Sequence, residues 1–316
     1  IKGEYYVSLV YNLLIENNLK SLVYEVPKFC QWGTPEDLLE YRWWEDYYNR
    51  IVQDTFTSNI SNCVTVLPMG GWGNRFTQAG YQIPKPFLQI NGHYMMDRAL
   101  KCLPTTDGIY LGALSRHKTL FDAEDYDKVV WIDEVFPGQA CTTEKIVRQV
   151  KPDTGILVSA CDNGVIYSSE TFERMVNDKN NDIIVWTFMG NHTTVRNPDA
   201  YSWVEADNND YIQNVSVKKF NSKNHPISVP AITGTMYFRN KNVYLKSLKR
   251  LYKKNTRTNG EFYIDNLINE AIELGYRVKN FGVGYYICWG TPDDLNTYRY
   301  WQEFFNKADW HPYDYE

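Results

Sequence analysis

The sequence lacks most of the features that would tie it to a metal cage, a membrane or a polynucleotide. Its six cysteines (Cys30, Cys63, Cys102, Cys141, Cys161, Cys288) form no CxxC pair, and its five histidines show no HExxH or HxxxH spacing. No zinc site is therefore written in the chain, and the thiols are read as reduced and mostly buried. No run of about 18 apolar residues occurs, so membrane insertion is not expected. The opening IKGEYYVSL has no basic stretch leading to a small-residue cleavage site, and the cytoplasm is the expected compartment. A formal charge of -5 argues against a nucleic-acid partner, because phosphate-backbone affinity needs clustered Lys and Arg. A free nucleotide is compatible with it. What is abundant is aromatic: 16% of residues, among them 25 Tyr, which suits polar-tipped ring surfaces around a ligand or partner as well as ordinary core. At 316 residues the chain exceeds one usual domain, although a single large α/β unit with additions has room here.

The chain repeats itself. Residues 3–50 align without gaps on residues 260–307, with 17 of 48 positions identical, including Gly3/Gly260, Glu4/Glu261, Trp32/Trp289, the following Gly-Thr-Pro, Arg42/Arg299 and Trp44/Trp301. A repeat of this length is no solenoid unit. It is read as duplication of a whole domain: residues 1–53 are the C-terminal segment of a preceding copy, 54–61 a polar linker, 62–307 a complete copy and 308–316 a tail. The bland alternative is a self-sufficient helical extension over the first 50 residues. The duplication implies a second such domain in the full-length protein, or a homo-oligomer.

Along the second copy, apolar runs at 62–68, 108–114, 128–135, 154–161 and 182–188 alternate with helical patterns such as TTEKIVRQV and SSETFERMV. That alternation predicts βαβ units, a mostly parallel sheet flanked by helices, and ligands at the carboxyl ends of its strands. After residue 200 strands follow one another directly, predicting a mixed or antiparallel portion, and helices are expected at 241–254 and 261–274. Thr291-Pro292-Asp293-Asp294 and Thr34-Pro35-Glu36-Asp37 both read as helix caps with Pro at the first helical position, which makes WGTP structural in both copies.

The segment 67–88, LPMGGWGNRFTQAGYQIPKPFL, carries the chemistry. Met69 ends a strand, and Gly70, Gly71 and Gly73 permit backbone N–H groups to approach anionic oxygens. Arg75 adds a planar fork for phosphate, and Lys85 a mobile point charge. The GK[ST] of a P-loop is absent and the GxGxxG spacing is not met.

GGWGNRF followed by PKP resembles the signature of the sugar-phosphate nucleotidyltransferases. It is most similar to the bacterial sugar-nucleotide pyrophosphorylases and LicC-like cytidylyltransferases of capsule and surface-polysaccharide synthesis, whose pattern is PMAGxGSRFxxxGYxxPKP. The likeness extends over 62–304, through GQACTTEKI, SACDNGVIY, ITGTMYF, NGEFYID and WGTPDDL; Asn74 stands where Ser or Thr is common, and Trp72 is unusual. It implies a GT-A-like, Rossmann-type fold and transfer of a nucleoside monophosphate from CTP, UTP or dTTP to a phosphorylated sugar, polyol or similar small alcohol, with release of pyrophosphate. It also implies magnesium. Asp162 corresponds to the aspartate that binds metal and nucleotide; taken alone it is a turn or cap residue.

The second carboxylate is expected from Glu261 or Asp265, four residues apart and on one face if both are helical; a solvated first-turn carboxylate is the plain alternative for each. The earlier copy keeps Glu4 but has Ser8 in place of Asp265. Gln139 matches the segment against the base, and Lys218 matches the lysine on the acceptor phosphate, with Lys219 as rival and Val217 where the family has an acid. Trp203 and Gly234 are candidates for the acceptor pocket, with packing as the alternative for both. Two rival functions stay open: a GT-A-type glycosyltransferase using a nucleotide sugar, and a non-catalytic nucleotide-binding scaffold.

Overall fold

The computed structural model describes residues 3, 5–53, 58–191 and 193–314, and the chain divides into two compact units, Ile1–Tyr41 and Arg42–Glu316. Glu4 and residues 54–57 of the expected linker lie outside the described residues.

The larger unit is built on a nine-stranded sheet. Its parallel half runs Lys128–Ile132, Ile109–Leu114, Cys63–Met69, Gly155–Val158 across the sheet. In chain order these are the third, second, first and fourth strands, so the winding reverses between Cys63–Met69 and Gly155–Val158. A crevice opens at such a reversal, at the carboxyl ends of the two strands. Cys63–Met69 is buried at every position, as a parallel strand covered on both faces must be. Ala231–Phe238 runs antiparallel beside Gly155–Val158. It carries Trp203–Ala206 and Ile212–Ser216 along one part of its edge and Ile183–Phe188 with Val278–Gly282 along another. The protein is thus α/β, with a parallel centre and a mixed portion after residue 200.

Helices Gln139–Val147, Lys241–Lys254 and Ile264–Glu273 cover one face around Val66, Ile146, Val185 and Met236. The opposite face is aromatic, with Phe172, Trp186, Tyr237 and Phe281 packed edge to face. Ile264, Leu267, Ile268 and Ala271 form the buried stripe of their helix at helical spacing, and Gly275, at φ +84°, ends it. The helix Pro292–Lys307 begins as expected: the Thr291 hydroxyl accepts the Asp294 amide at 3.1 Å and donates to the Asp294 carboxylate at 2.6 Å.

Two expected boundaries move, and the segment read as a tail joins the packing. Ser58 to Ile60 belong to the domain and not to the linker, since Asn59–Ile60 pairs with Thr105–Thr106 and the Ser58 carbonyl accepts the Thr105 amide. The tail is packed: Ala308, His311 and Tyr313 are buried, and Gln302 donates to the Tyr313 hydroxyl at 2.8 Å. The helix expected from 261 starts at Ile264, because Glu261 is held in a turn that exchanges backbone hydrogen bonds with Thr258.

The smaller unit holds a 3-10 turn Val7–Leu9, the helix Val10–Glu16, an irregular stretch and the start of the helix Pro35–Gln53. Thr34 and Asp37 cap that helix reciprocally, at 3.2 and 3.0 Å. From Arg42 onward the helix belongs to the larger unit. There Trp44 stacks on Trp301 at 6.2 Å and 19°, and Tyr48 lies 5.4 Å from Phe305.

Candidate active site

The three loop glycines do different work. A Cβ on Gly70 would stand 2.9 Å from the Thr142 hydroxyl, so Gly70 lets the strand end press against the helix Gln139–Val147. Gly71 has nothing within 4 Å of such an atom and leaves its backbone open to the cavity. Gly73 is left-handed at φ +69° and turns the chain into the short helix Asn74–Gln78. The two cations beside this loop are each tethered by a neighbouring aromatic. Phe76 is buried against Tyr81, which fixes the helix that carries exposed Arg75. Phe87, buried among Tyr94, His117 and Phe121, fixes the turn that Lys85 opens between two prolines.

Lys85 reaches across the crevice and forms an ion pair with Asp162. Burial alone would lower the Lys85 pKa, but the Asp162 carboxylate, helped by Cys161 and Cys288, outweighs it and holds the ammonium above its ordinary range. The Lys85 side of the pair's contribution is present at neutral pH and is lost as pH rises through that raised value. Asp162 stands just past the end of Gly155–Val158, and WGTP backs it. The Trp289 amide donates to the Asp162 carbonyl at 2.8 Å, and a Cβ on Gly290 would lie 2.9 Å from its Oδ2.

The expected common helical face of Glu261 and Asp265 is not formed, since Glu261 precedes the helix. Glu261, Tyr263 and Asp265 line the same cavity. Burial pushes the phenol up, the charges of Glu261 and Asp265 push it further, and Arg75 partly offsets them. The Asp265 carboxylate accepts the Ser202 hydroxyl at 2.5 Å. Gly138, at φ +120°, is what lets this segment dock, because a Cβ there would stand 2.5 Å from the Phe262 backbone. Pro137 accepts from Phe262, and Ala140 donates back to it. Gln139, first residue of its helix, is thereby held beside Glu261.

On the far wall Lys218 adopts φ +52°, rare for a side-chain-bearing residue. Its ammonium donates to the Ala200 carbonyl and lies 5.7 Å from the Tyr263 ring centre. Gly234 lies in a bulge: three residues of Ala231–Phe238, 233 to 235, oppose the single Trp186, which turns backbone toward the crevice. Trp203 is the exception among the expected pocket residues. It is buried, its indole donates to the Pro198 carbonyl and its ring packs on Phe220, while Tyr201 takes the wall position. Lys219, the rival to Lys218, does not line the cavity.

These residues surround one cavity of about 530 Å³ lined by Met69, the glycine loop, Arg75, Lys85, Gln139, Asp162, Lys218, Gly234, Glu261 and Asp265, a size usual for small-ligand sites. Sequence reasoning missed Tyr201, Tyr263, Gly138 and His117. His117 lines the wall with its Nδ1 buried and without a partner, and burial together with Arg116 lowers its pKa. None of these carries a motif of its own. Among the described residues no three of His, Cys, Asp and Glu converge into a metal cage. Asp162, Glu261 and Asp265 line the cavity with carboxylate oxygens, the donor type magnesium takes, one or two at a time with water and substrate phosphate completing the shell.

The sheet order and its crevice define a doubly wound α/β fold. Many solved structures are similar to the chain, among them these three. A nucleoside-diphosphate-sugar pyrophosphorylase from Vibrio cholerae RC9 aligns with a TM-score of 0.59 at 20% identity, over 74% of this chain and 98% of that one. The inositol-1-phosphate CTP transferase from T. maritima aligns at 0.58 and 16%, over 78% and 97%. A CMP:2-keto-3-deoxy-manno-octonic acid synthetase complexed with CTP aligns at 0.52 and 15%, over 75% and 96%. No family model matches the sequence, and no curated protein does.

Proposed function

We propose that the chain is a nucleotidyltransferase that joins the nucleoside monophosphate of CTP, UTP or dTTP to a phosphorylated sugar, polyol or similar small alcohol. The observation that carries this reading is the meeting of an open glycine loop, Arg75, Lys85 and Asp162 around one cavity at the reversal of strand order. An acceptor phosphate is already an anion near neutral pH, so no general base is required, and catalysis reduces to positioning and charge. An acceptor oxygen attacks the α-phosphorus in line, the α–β anhydride bond breaks, and pyrophosphate leaves.

Arg75 and the amides at Gly71 and Gly73 hold the departing phosphates. Lys85 is kept charged against Asp162 and turns to the phosphate oxygens as they arrive. Lys218 docks the acceptor phosphate, with Gly234 in the wall beside it, and Gln139 faces the base. Asp162 with Glu261 or Asp265 would hold a magnesium ion, whose chemistry is to neutralise phosphate charge. The motif likeness alone favours an activated precursor of capsule or surface polysaccharide. The three structural relatives are named for nucleotide sugars, an inositol phosphate and a keto-sugar acid, so the acceptor class is wide.

Thermal-shift measurement with CTP, UTP, dTTP, ATP and GTP in magnesium tests nucleotide binding, since a ligand of the native state raises the melting point by mass action. One pyrimidine nucleotide should give the largest rise. Equal, negligible shifts for all five would leave the reading without support, and turnover of a nucleotide sugar without any NTP would replace it by a glycosyltransferase.

A further inference from the structure

The smaller unit repeats the local structure of the site-closing segment 260–307 while leaving its apolar side uncovered. Val7–Leu9 and Val10–Glu16 together span the positions of Ile264–Glu273, and both long helices open on Thr-Pro, with the Thr hydroxyl accepting the Asp amide three residues on. Gly3 and Gly260 share φ +82°, and Asn18 adopts φ +59° where Gly275 adopts +84°. What differs is burial. Tyr5 is 103% exposed where Phe262 is 6%, Val7 79% where Ile264 is 2%, and Tyr24 85% where Phe281 is 3%. Residues 21–25 form no strand, whereas their equivalents Val278–Gly282 pair residue for residue with Ile183–Phe188.

Apolar side chains are thus kept where the complete copy buries them, and residues 21–25 pair with no strand among the described residues. The partner is not the equivalent surface of a second copy of this chain. In each copy Ile183–Phe188 already holds Val278–Gly282, and Asn163–Ile166 already holds Tyr285–Cys288, so neither edge has a place to fill.

We infer that residues 3–50 close another core of this same nucleotidyltransferase-like fold, supplied by the polypeptide upstream of Gly3, and that the two cores are joined through their C-terminal helices. The helix pairing supports this independently. Trp44 and Trp301 are equivalent in the repeat, as are Tyr48 and Phe305, and each touches its own equivalent. Equivalent residues meet in this way at the axis of an isologous, two-fold interface. The upstream core would receive Glu4 where this one has Glu261, but Ser8 where this one has Asp265, so its cavity would carry one carboxylate fewer. The inference rests on the fold and the repeat rather than on the proposed chemistry.

Hydrogen–deuterium exchange tests it without reading catalysis, on the 316-residue chain and on the natural polypeptide extended upstream. In the 316-residue chain the amides of 21–25 should exchange without protection at every protein concentration, while those of 278–282 are slowed at least about a thousand-fold. In the extended polypeptide 21–25 should become protected to a similar degree. Protection of 21–25 already in the 316-residue chain would overturn the inference, because the segment would then be self-sufficient or paired between copies. An upstream polypeptide without such a core, or one that leaves 21–25 unprotected, would overturn it equally.

Discussion

Residues 3–50 and 260–307 are two readings of nearly the same instructions. Both form a glycine-led turn, a first helix and a long second helix with a Thr-Pro cap, because each of these is specified by neighbours a few positions away. Only the second forms strands and buries its tryptophan at the WGTP turn, Trp289, 3% exposed against 57% for Trp32. Strands take their hydrogen bonds from another part of the chain, and buried rings need a surface to lie on. The comparison separates what a sequence decides locally from what it decides only in company.

The largest contrast is chemical. Lys85→Ala or Asp162→Ala should lower pyrophosphate release roughly 100-fold to 1,000-fold with the fold intact by circular dichroism. Wild-type turnover in either would break the assignment. Next comes the glycine of WGTP. Gly290→Ala places a methyl against the Asp162 carboxylate, so activity should fall about 10-fold to 100-fold with little change in urea midpoint. Gly33→Ala, whose nearest neighbour is the Gln31 side chain at 3.6 Å, should leave both unchanged.

In stability, Trp289→Ala should cost about 3–5 kcal/mol by urea unfolding, and Trp32→Ala no more than about 0.5 kcal/mol. Equal costs would mean that the first copy is packed after all. The smallest effect should be the same in both places: Thr291→Ala and Thr34→Ala each remove a cap worth about 1 kcal/mol. The first is read by urea unfolding, the second by faster exchange at the Asp37 amide.

The same division governs what could be read from the chain before its structure. The glycine loop, Lys85, both caps and the parallel half of the sheet are legible, since each is a pattern within one short stretch; Asp162 alone reads as a turn residue and is singled out only by the family likeness. The left-handed Gly138 is not legible, because only the backbone of Phe262, over a hundred residues away, demands it. The bulge at Gly234 depends on the register of Ile183–Phe188 against Ala231–Phe238, and no local spacing reveals it. Helical spacing suggested a shared face for Glu261 and Asp265, but the turn with Thr258 removes Glu261 from the helix. Trp203 is a pocket candidate only through the family likeness; its indole is held by the Pro198 carbonyl and Phe220, while Tyr201, just before the strand, lines the cavity.

The most direct test of the central claim is phosphorus NMR of the chain with magnesium, a pyrimidine NTP and a panel of phosphorylated sugars and polyols. One pyrophosphate should appear for each acceptor consumed, with the α-phosphorus in a new diphosphate linkage to the acceptor. Release of orthophosphate instead, or an NTP that stays intact across the whole panel while bound, would contradict the account.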